Sequence, residues 1–585
     1  MNRPVRDHSM RVSAAPTLFA AASLCLSAAL LFPPNAPAQI QQRIQPNTKT
    51  ALKKFVDAAN QLSPEVKAHL SRGMQNYLRF ANAAVNAPDS PSANVALAVA
   101  PQTFATASTT TATAQTSATA DPNLIQVSSL KLDPPKEGYT QNTTSSAWCG
   151  NSVVSGYEDT GALFRTDPSL AGGVPISMDG VSFSTDAGKT FTDLGFLNPG
   201  TDPNNALVGD PVVTCSSPTH FQYVSLLNTI GPDGINPIVG PSISFSTDAG
   251  KTWSAPQQIV PLDGATELAD KPWLAVDPFN PRRMYLTYTH VVFLGCTNVE
   301  LVRSTDAGKT WGAPVAVNSD CNNPNIVMDT GSNVIVSPGG KVYVAYESFP
   351  VPPNGTTFGK TAIYFARSLS EGASFFKPIK IADVVPGGDG VYLTGPILAD
   401  DFPQLAVDRT TGPSRGTIYL TWPDGRNRIV PRNNAPSGNY AYPDIFVAKS
   451  VNMGLSFQVL GAISPTSKTF PRTSGRDQFL PTIAVDNDAE VAVCYYDRRN
   501  DPANNLRVAH YCSLSTNQGK TWTDLALSPL DWVPTPNPDP LNPGGTGSFS
   551  EYDALASDFL LRTDGFFASF MVEQNGKQSV VAKKF

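Results

Sequence analysis

An octapeptide that returns six times, a second repeat ahead of several of its copies, and three strand-like runs left over after the last copy together predict an all-β chain. The predicted architecture is a seven-bladed β-propeller with an N-terminal helical hairpin, with a six-bladed ring as the alternative. Composition points the same way. The 585 residues include 43 glycines and 52 prolines, a density of chain punctuation that calls for many short elements joined by turns. Charged residues are sparse, the net charge is −6, and Lys and Arg form no block. A phosphate backbone needs such a block, so no nucleic-acid partner is expected.

In chain order the first element is a leader. Arg3, Arg6 and Arg11 precede an apolar stretch from Leu18 to Phe32, and Ala36-Pro37-Ala38 follows, so residues 1–38 read as a secretory signal peptide. The apolar stretch is shorter than the roughly 20 residues of a spanning helix, and no later segment approaches it. The chain is therefore expected to be secreted or periplasmic, without a membrane span. Residues 39–86 carry apolar side chains at helical spacing, Leu52, Phe55, Val56 and Leu62 and then Val66, Leu70, Met74, Tyr77, Leu78 and Val85. Ser63-Pro64 between the two runs is a helix-start signal, which gives a helical hairpin. Residues 87–121 turn to Ala, Thr, Ser and Pro with almost no charge, a linker composition.

Six cysteines remain once Cys25 leaves with the leader: Cys149, Cys215, Cys296, Cys321, Cys494 and Cys512. An even number in an exported chain favours disulfides, with Cys494–Cys512 the first pairing expected and Cys296–Cys321 the next. No CxxC occurs and the histidines are scattered, so no zinc site is expected. Asp400-Asp401 could bind calcium but lacks a loop of spaced oxygen ligands. No phosphate loop or nucleophile elbow appears, and no cofactor is expected.

Residues 122–585 hold the repeats. Ser184 to Phe191 (STDAGKTF) recurs at Ser246 to Trp253 and Ser304 to Trp311 (both STDAGKTW), then in decayed form at Ser368, Ser450 and Ser515. The starts lie about 60 residues apart, a propeller-like period. The second repeat, Asp-x-Pro-x-apolar-Ala-Val-Asp followed by an alternating strand, runs from Asp270, from Asp401 and, in variant form, from Phe479. These pieces read as strands A and B of a blade, with strand C leading into the octapeptide as the C–D turn. After the sixth octapeptide, Tyr552–Ser557, Gly565–Phe570 and Ser579–Ala582 supply A, B and C of one more blade. Its outer strand is expected from Leu124–Leu130, which would close the ring and remove exposed edges.

The octapeptide resembles the Asp-box, or BNR repeat, of sialidases and related propellers. In such a box the Asp accepts backbone N–H groups across a tight turn, Gly supplies positive φ and the last aromatic packs between sheets. Asp186, Asp248 and Asp306 are therefore read as structural. The resemblance implies a six-bladed ring, three arginines on a substrate carboxylate, a Tyr nucleophile helped by Glu, and an Asp acid. Candidate counterparts are Arg426, Arg476 and Arg498, with Tyr552 beside Glu551. The Arg-Ile-Pro signature of that family's first blade is absent, and Ser145-Ser146-Ala147-Trp148-Cys149 stands near its place.

Residues before strand A and after strand B share the face opposite the boxes, where they converge on the central channel. Carboxylates, arginines and aromatics gather there in the sequence, as an anionic-sugar site needs. The candidate catalytic residues are Tyr552, Glu551, Asp424 and Asp497. The candidate substrate-binding residues are Arg426, Arg476, Arg498, Trp422, Tyr496, Asp270 and Asp401. The same residues have a plain reading: Asp-x-Arg after a strand can be an ion pair encoded by the repeat, and Asp before Pro caps a turn. The expected function is an exported, sialidase-like glycoside hydrolase acting on acidic or deoxy sugars, with a carbohydrate or glycoconjugate ligand. Its alternatives are a non-catalytic glycan- or protein-binding propeller, whose hairpin docks a protein partner, and a polysaccharide lyase.

Overall fold

A computed structural model describes residues 46–63, 66–67, 69–86, 124–128, 141–160, 176–295, 297–318, 327–350, 361–388, 392–395, 397–432, 438–464, 475–528, 531–534, 549–574 and 577–585. The leader, the segment 87–121 and the Cys296–Cys321 pairing lie outside these residues.

Seven sheets make the ring, each with an antiparallel A-B-C-D set of strands in space. Their A strands are Gln141–Cys149, Val212–Ser217, Glu267–Val276, Val327–Ser337, Gln404–Val407, Gln478–Val485 and Ala554–Ala556. One cavity of about 260 Å³ is lined by Ala147, Val213, Ala275, Ile335, Val407, Val485 and Ala556, one residue from each blade, so all seven A strands surround a single axis. Blade 7 closes the ring as expected. Its C strand, Lys577–Lys584, pairs with Ile125–Gln126 from the other end of the chain, Ile125 opposite Ala582. Blade 2 is larger than the sequence suggested, because the short strands Ile176–Ser177, Ala206–Leu207 and Leu262–Asp263 join its sheet.

The six boxes are the C–D turns of blades 1 to 6. In the third, Asp306 Oδ1 accepts the Thr310 N–H at 2.9 Å, and the Ser304 hydroxyl both donates to Asp306 and accepts the Gly308 N–H. Two successive residues take left-handed φ in every box, Ala307 at 66° and Gly308 at 81° here. The glycine is needed for a second reason, which is contact with the preceding blade. A Cβ on Gly308 would lie 2.8 Å from Phe245 of blade 2, one on Gly250 2.5 Å from Val154 of blade 1, and one on Gly188 2.8 Å from Phe567 of blade 7. The boxes are thus the seams between blades.

Among the described residues two long helices precede the ring, α1 (Pro46–Ala59) and α2 (Arg72–Asn86). Helix α2 starts later than Ser63-Pro64 suggested. Ser63 Oγ does accept the Val66 N–H, but the N-cap of the long helix is Ser71, whose hydroxyl accepts the Met74 N–H at 3.2 Å. The apolar faces of both helices bury against blades 2 to 4, where Phe55, Leu70 and Met74 share one cluster with Val208, Leu268 and Phe349. Among the described residues no helix is long and apolar enough to cross a membrane.

Candidate functional site

Strand A of most blades breaks at its first residues. Pairing with strand B shifts between Asn142 and Ser145, Asp270 and Trp273, Thr330 and Asn333, and Phe479 and Thr482. The residues at the break have left-handed φ: Thr143 at 50°, Lys271 at 48°, Gly331 at 61° and Leu480 at 52°, with Asp210 at 58° just before strand A of blade 2. A bulge bends the strand and turns its entry residues, here toward the axis. Residues of distant blades meet as a result. Lys271 of blade 3 donates its backbone N–H to Asp210 Oδ2 at 3.0 Å. Its ammonium lies 3.5 Å from Glu551 Oε2 of blade 7, 3.8 Å from Asp270 Oδ2, and 5.0 Å from the ring centre of Phe402 of blade 5. Blades so far apart in the ring can touch only at its centre.

Around Lys271 stand Glu158, Asp210, Asp270, Glu347, Asp401 and Glu551, all buried. Burial pushes Glu158 up to about 8, with the Glu551 charge adding to it. Burial, then Asp400, takes Glu347 to about 8 as well. Asp210 and Asp401 are raised well above the carboxylate range by burial and by their acidic neighbours. Burial raises Glu551 too, while Lys271 pulls it back. Burial works against the charge of Lys271, but Glu551, Asp270, Asp400 and Asp210 outweigh it and hold the ammonium above its ordinary value. The mouth therefore holds carboxyl groups that keep their protons near neutral pH beside a lysine that stays charged.

Helix α2 starts on this cluster. The Ser71 N–H donates to Asp270 Oδ2 at 2.9 Å and the Arg72 N–H to Glu551 Oε1 at 2.7 Å. Gly73 packs so closely that a Cβ there would lie 1.9 Å from the Val208 carbonyl oxygen and 3.1 Å from Glu158 Oε1.

Of the residues singled out in the sequence, Glu551, Tyr552, Asp270 and Asp401 come to this mouth. The Tyr552 ring stands edge-on to Trp273, with centres 5.3 Å apart, and its hydroxyl donates to the Pro211 carbonyl at 3.1 Å. Burial, with nearby carboxylates, raises it well above 10. The others belong to blades 5 and 6, and among them Asp424 is near enough for its charge to act on Asp401. Asp424 accepts the backbone N–H of Arg426 at 3.0 Å and its Nε at 2.9 Å; Asp497 accepts the same two groups of Arg499 at 2.6 and 2.7 Å. Two blades thus repeat one Asp-x-Arg ion pair. Arg498 is fully buried on Asp477 at 2.8 Å, and Arg476 donates to the carbonyls of Gly475 and Pro502. Trp422 stacks on Phe446, and Tyr496 lies in the core against Phe479 and His510.

Lys271, Glu158, Asp210 and Glu347 belong to the mouth as well; the sequence places them before strand A or after strand B, on the face opposite the boxes, but not among the candidate catalytic or binding residues. The available signal was position: Lys271 fills the central place of the Asp-x-Pro repeat that holds Phe402 and Leu480 elsewhere. Among the described residues, no group of three or more His, Cys, Asp and Glu is placed to hold a metal ion.

No protein-family model matches the chain, and no curated protein matches it. Among solved structures it is similar to an α-L-arabinofuranosidase from Fusarium graminearum, at 13% identity and TM-score 0.40 over 67% of this chain and 96% of that one. It is similar to a polysaccharide lyase of the ulvan lyase family PL25, at 10% identity and TM-score 0.48 over 78% of this chain and 95% of that one. A Hadza microbial sialidase matches at 12% identity and TM-score 0.38 over 69% of this chain and 73% of that one.

Proposed function

We propose that the chain is an exported glycoside hydrolase whose reactive centre is the carboxyl and lysine cluster at the channel mouth. The observation that carries this reading is a carboxyl group held protonated to about pH 8, Glu158, in electrostatic contact with a second, Glu551, that Lys271 pulls toward its charged form. Glycosidic cleavage needs such a split between an acid and a base or nucleophile. Glu158 takes the part of acid and Glu551 that of base or nucleophile. Tyr552, with its hydroxyl on Pro211, forms a wall.

The substrate class follows from the charges. A substrate carboxylate needs free guanidinium groups, and Arg426, Arg476 and Arg498 are engaged on Asp424, on backbone carbonyls and on Asp477. The mouth offers carboxyl groups, which accept from sugar hydroxyls or amines and, where protonated, donate to ring and glycosidic oxygens, and this suits a neutral or amino-bearing sugar. This reading stands beside the acidic or deoxy sugars expected from the sequence, and one substrate panel separates them.

The test is turnover of a panel: aryl glycosides of neutral and amino sugars, a fluorogenic sialic-acid glycoside, and acidic polysaccharides. It is run on the full chain and on a form whose hairpin has been cut away. Neutral or amino glycosides should be cleaved, with activity falling above about pH 8. Glu158→Gln and Glu551→Gln should each lower turnover by ~100-fold or more. Products absorbing in the ultraviolet would mark a lyase instead. Silence from a folded sample with an open mouth would favour the binding propeller.

A further inference from the structure

The hairpin has no part in closing the ring. It adds no strand to any blade, and the last sheet edge is already covered by Ile125–Gln126. It nevertheless lies across the mouth and places donors on the carboxylates there. The first N–H groups of a helix have no partner within the helix and need acceptors from elsewhere. In α2 these are Asp270 for Ser71 and Glu551 for Arg72, and the positive end of the helix favours both contacts. The sugar hydroxyls or amines proposed above would occupy the same acceptors.

The seat is built for close approach. Gly73 meets Gly209, whose φ is 94°, so tightly that a Cβ on Gly209 would lie 3.2 Å from Gly73 Cα and 2.6 Å from Glu158 Oε1. Glu158, Asp270 and Glu551 are thus all under the first turn of one helix. Thirty-five residues, 87–121, lie between α2 and the first ring-closing strand in sequence.

We infer that the hairpin is a built-in plug, which closes the mouth by occupying its carboxylates and opens it by lifting off as a unit. The inference rests on the mouth being the site proposed above. Its test therefore needs a readout that does not depend on turnover.

The full chain and its Gly73→Leu variant are treated with a water-soluble carbodiimide and an amine, and labelling of Glu158, Asp270 and Glu551 is read by mass spectrometry. Hydrogen exchange over residues 66–80 is followed alongside. In the unaltered chain the three carboxyls should resist labelling. In Gly73→Leu their labelling and the exchange of the hairpin should rise by ~10-fold or more, while exchange in the blade strands stays unchanged. If Gly73→Leu does not fold, a site for a specific protease inserted within 87–121 decides: cutting the folded protein should release the hairpin and expose the same carboxyls. A hairpin that stays bound after the cut, with the carboxyls unlabelled, is a fixed part of the fold and overturns the proposal. So does a closed chain that cleaves glycosides as fast as the opened one. Labelling that rises on opening, with no turnover of any substrate, keeps the plug and removes the hydrolase reading.

Discussion

Lys271 Nζ lies 3.5 Å from Glu551 Oε2 across the axis of the ring, with the two side chains 4% and 1% exposed. A buried pair of this kind adds little net stability, but taking away one partner strands the other charge. Lys271→Met is expected to destabilise the protein by ~3–5 kcal/mol at pH 7. The loss should be larger at pH 9, where Glu158 and Glu347 have given up the protons they hold to about pH 8 and depend more on the cation. Urea unfolding at the two pH values measures this. An equal loss at both would mean that Lys271 holds the mouth by packing alone.

Glu158 carries a second pH dependence, with a definite sign. Burial and the Glu551 charge raise it from 4.5 to about 8. Between those values the folded protein holds a proton that the unfolded chain has given up, so stability falls as pH rises through that window. Glu158→Gln removes the slope. The variant should match the unaltered protein near pH 4.5 and exceed it at pH 8 by on the order of 4 kcal/mol. Thermal unfolding across this range checks it, and a difference that does not vary with pH would place the Glu158 pKa in the ordinary range.

How much of this could be read from the sequence depends on how local each feature is. The boxes are local, since Ser304, Asp306, Gly308 and Thr310 bond to one another, so six of the seven blades announced themselves. The seventh was legible because alternating apolar residues still mark Phe567–Gln574 and Lys577–Lys584 as strands. The mouth is not local. Lys271 and Glu551 are 280 residues apart, and Lys271 sits at a bulge in the entry to strand A of blade 3, where it meets Glu551 from blade 7. The Asp-x-Arg pairs drew attention as a site because charge beside aromatics looks the same in a lock and in a binding cleft. The contact of Ser71 and Arg72 with the mouth was invisible, since it is made by backbone amides that carry no signature.

The box glycines admit a sharper test than the box acids. At Gly308 both objections to a side chain apply, a φ of 81° and Phe245 at 2.8 Å from the missing Cβ. At Gly438 the φ is 70° and nothing lies within 4 Å. Gly438→Ala should therefore cost only the backbone strain, about 1 kcal/mol. Gly308→Ala should cost ~2–4 kcal/mol, because the blade seam must also give way. Chemical denaturation of the two variants side by side separates the terms. Equal losses would mean that Phe245 moves aside freely and that the seam is not a packing constraint.

The two described disulfides differ in what they join. Cys494–Cys512 links directly opposed residues of strands B and C within blade 6, whereas Cys149–Cys215 ties strand A of blade 1 to strand A of blade 2. The second pairing is hidden in the sequence because its partners sit on strands that do not pair with each other. The sequence separations are 18 and 66 residues. Loop-closure entropy then assigns about 3 kcal/mol to the first and about 4 kcal/mol to the second. The geometry widens the gap: without Cys494–Cys512 the two strands keep their ladder, but without Cys149–Cys215 the first two blades lose a covalent seam, which lies toward the end of their A strands that is remote from the mouth. Cys149→Ser with Cys215→Ser is expected to lower stability more than Cys494→Ser with Cys512→Ser, and to raise hydrogen exchange in strand A of both blades. Denaturant unfolding and exchange mapping of the two double variants check it. The reverse order would show that the stability of the ring is set within its blades rather than between them.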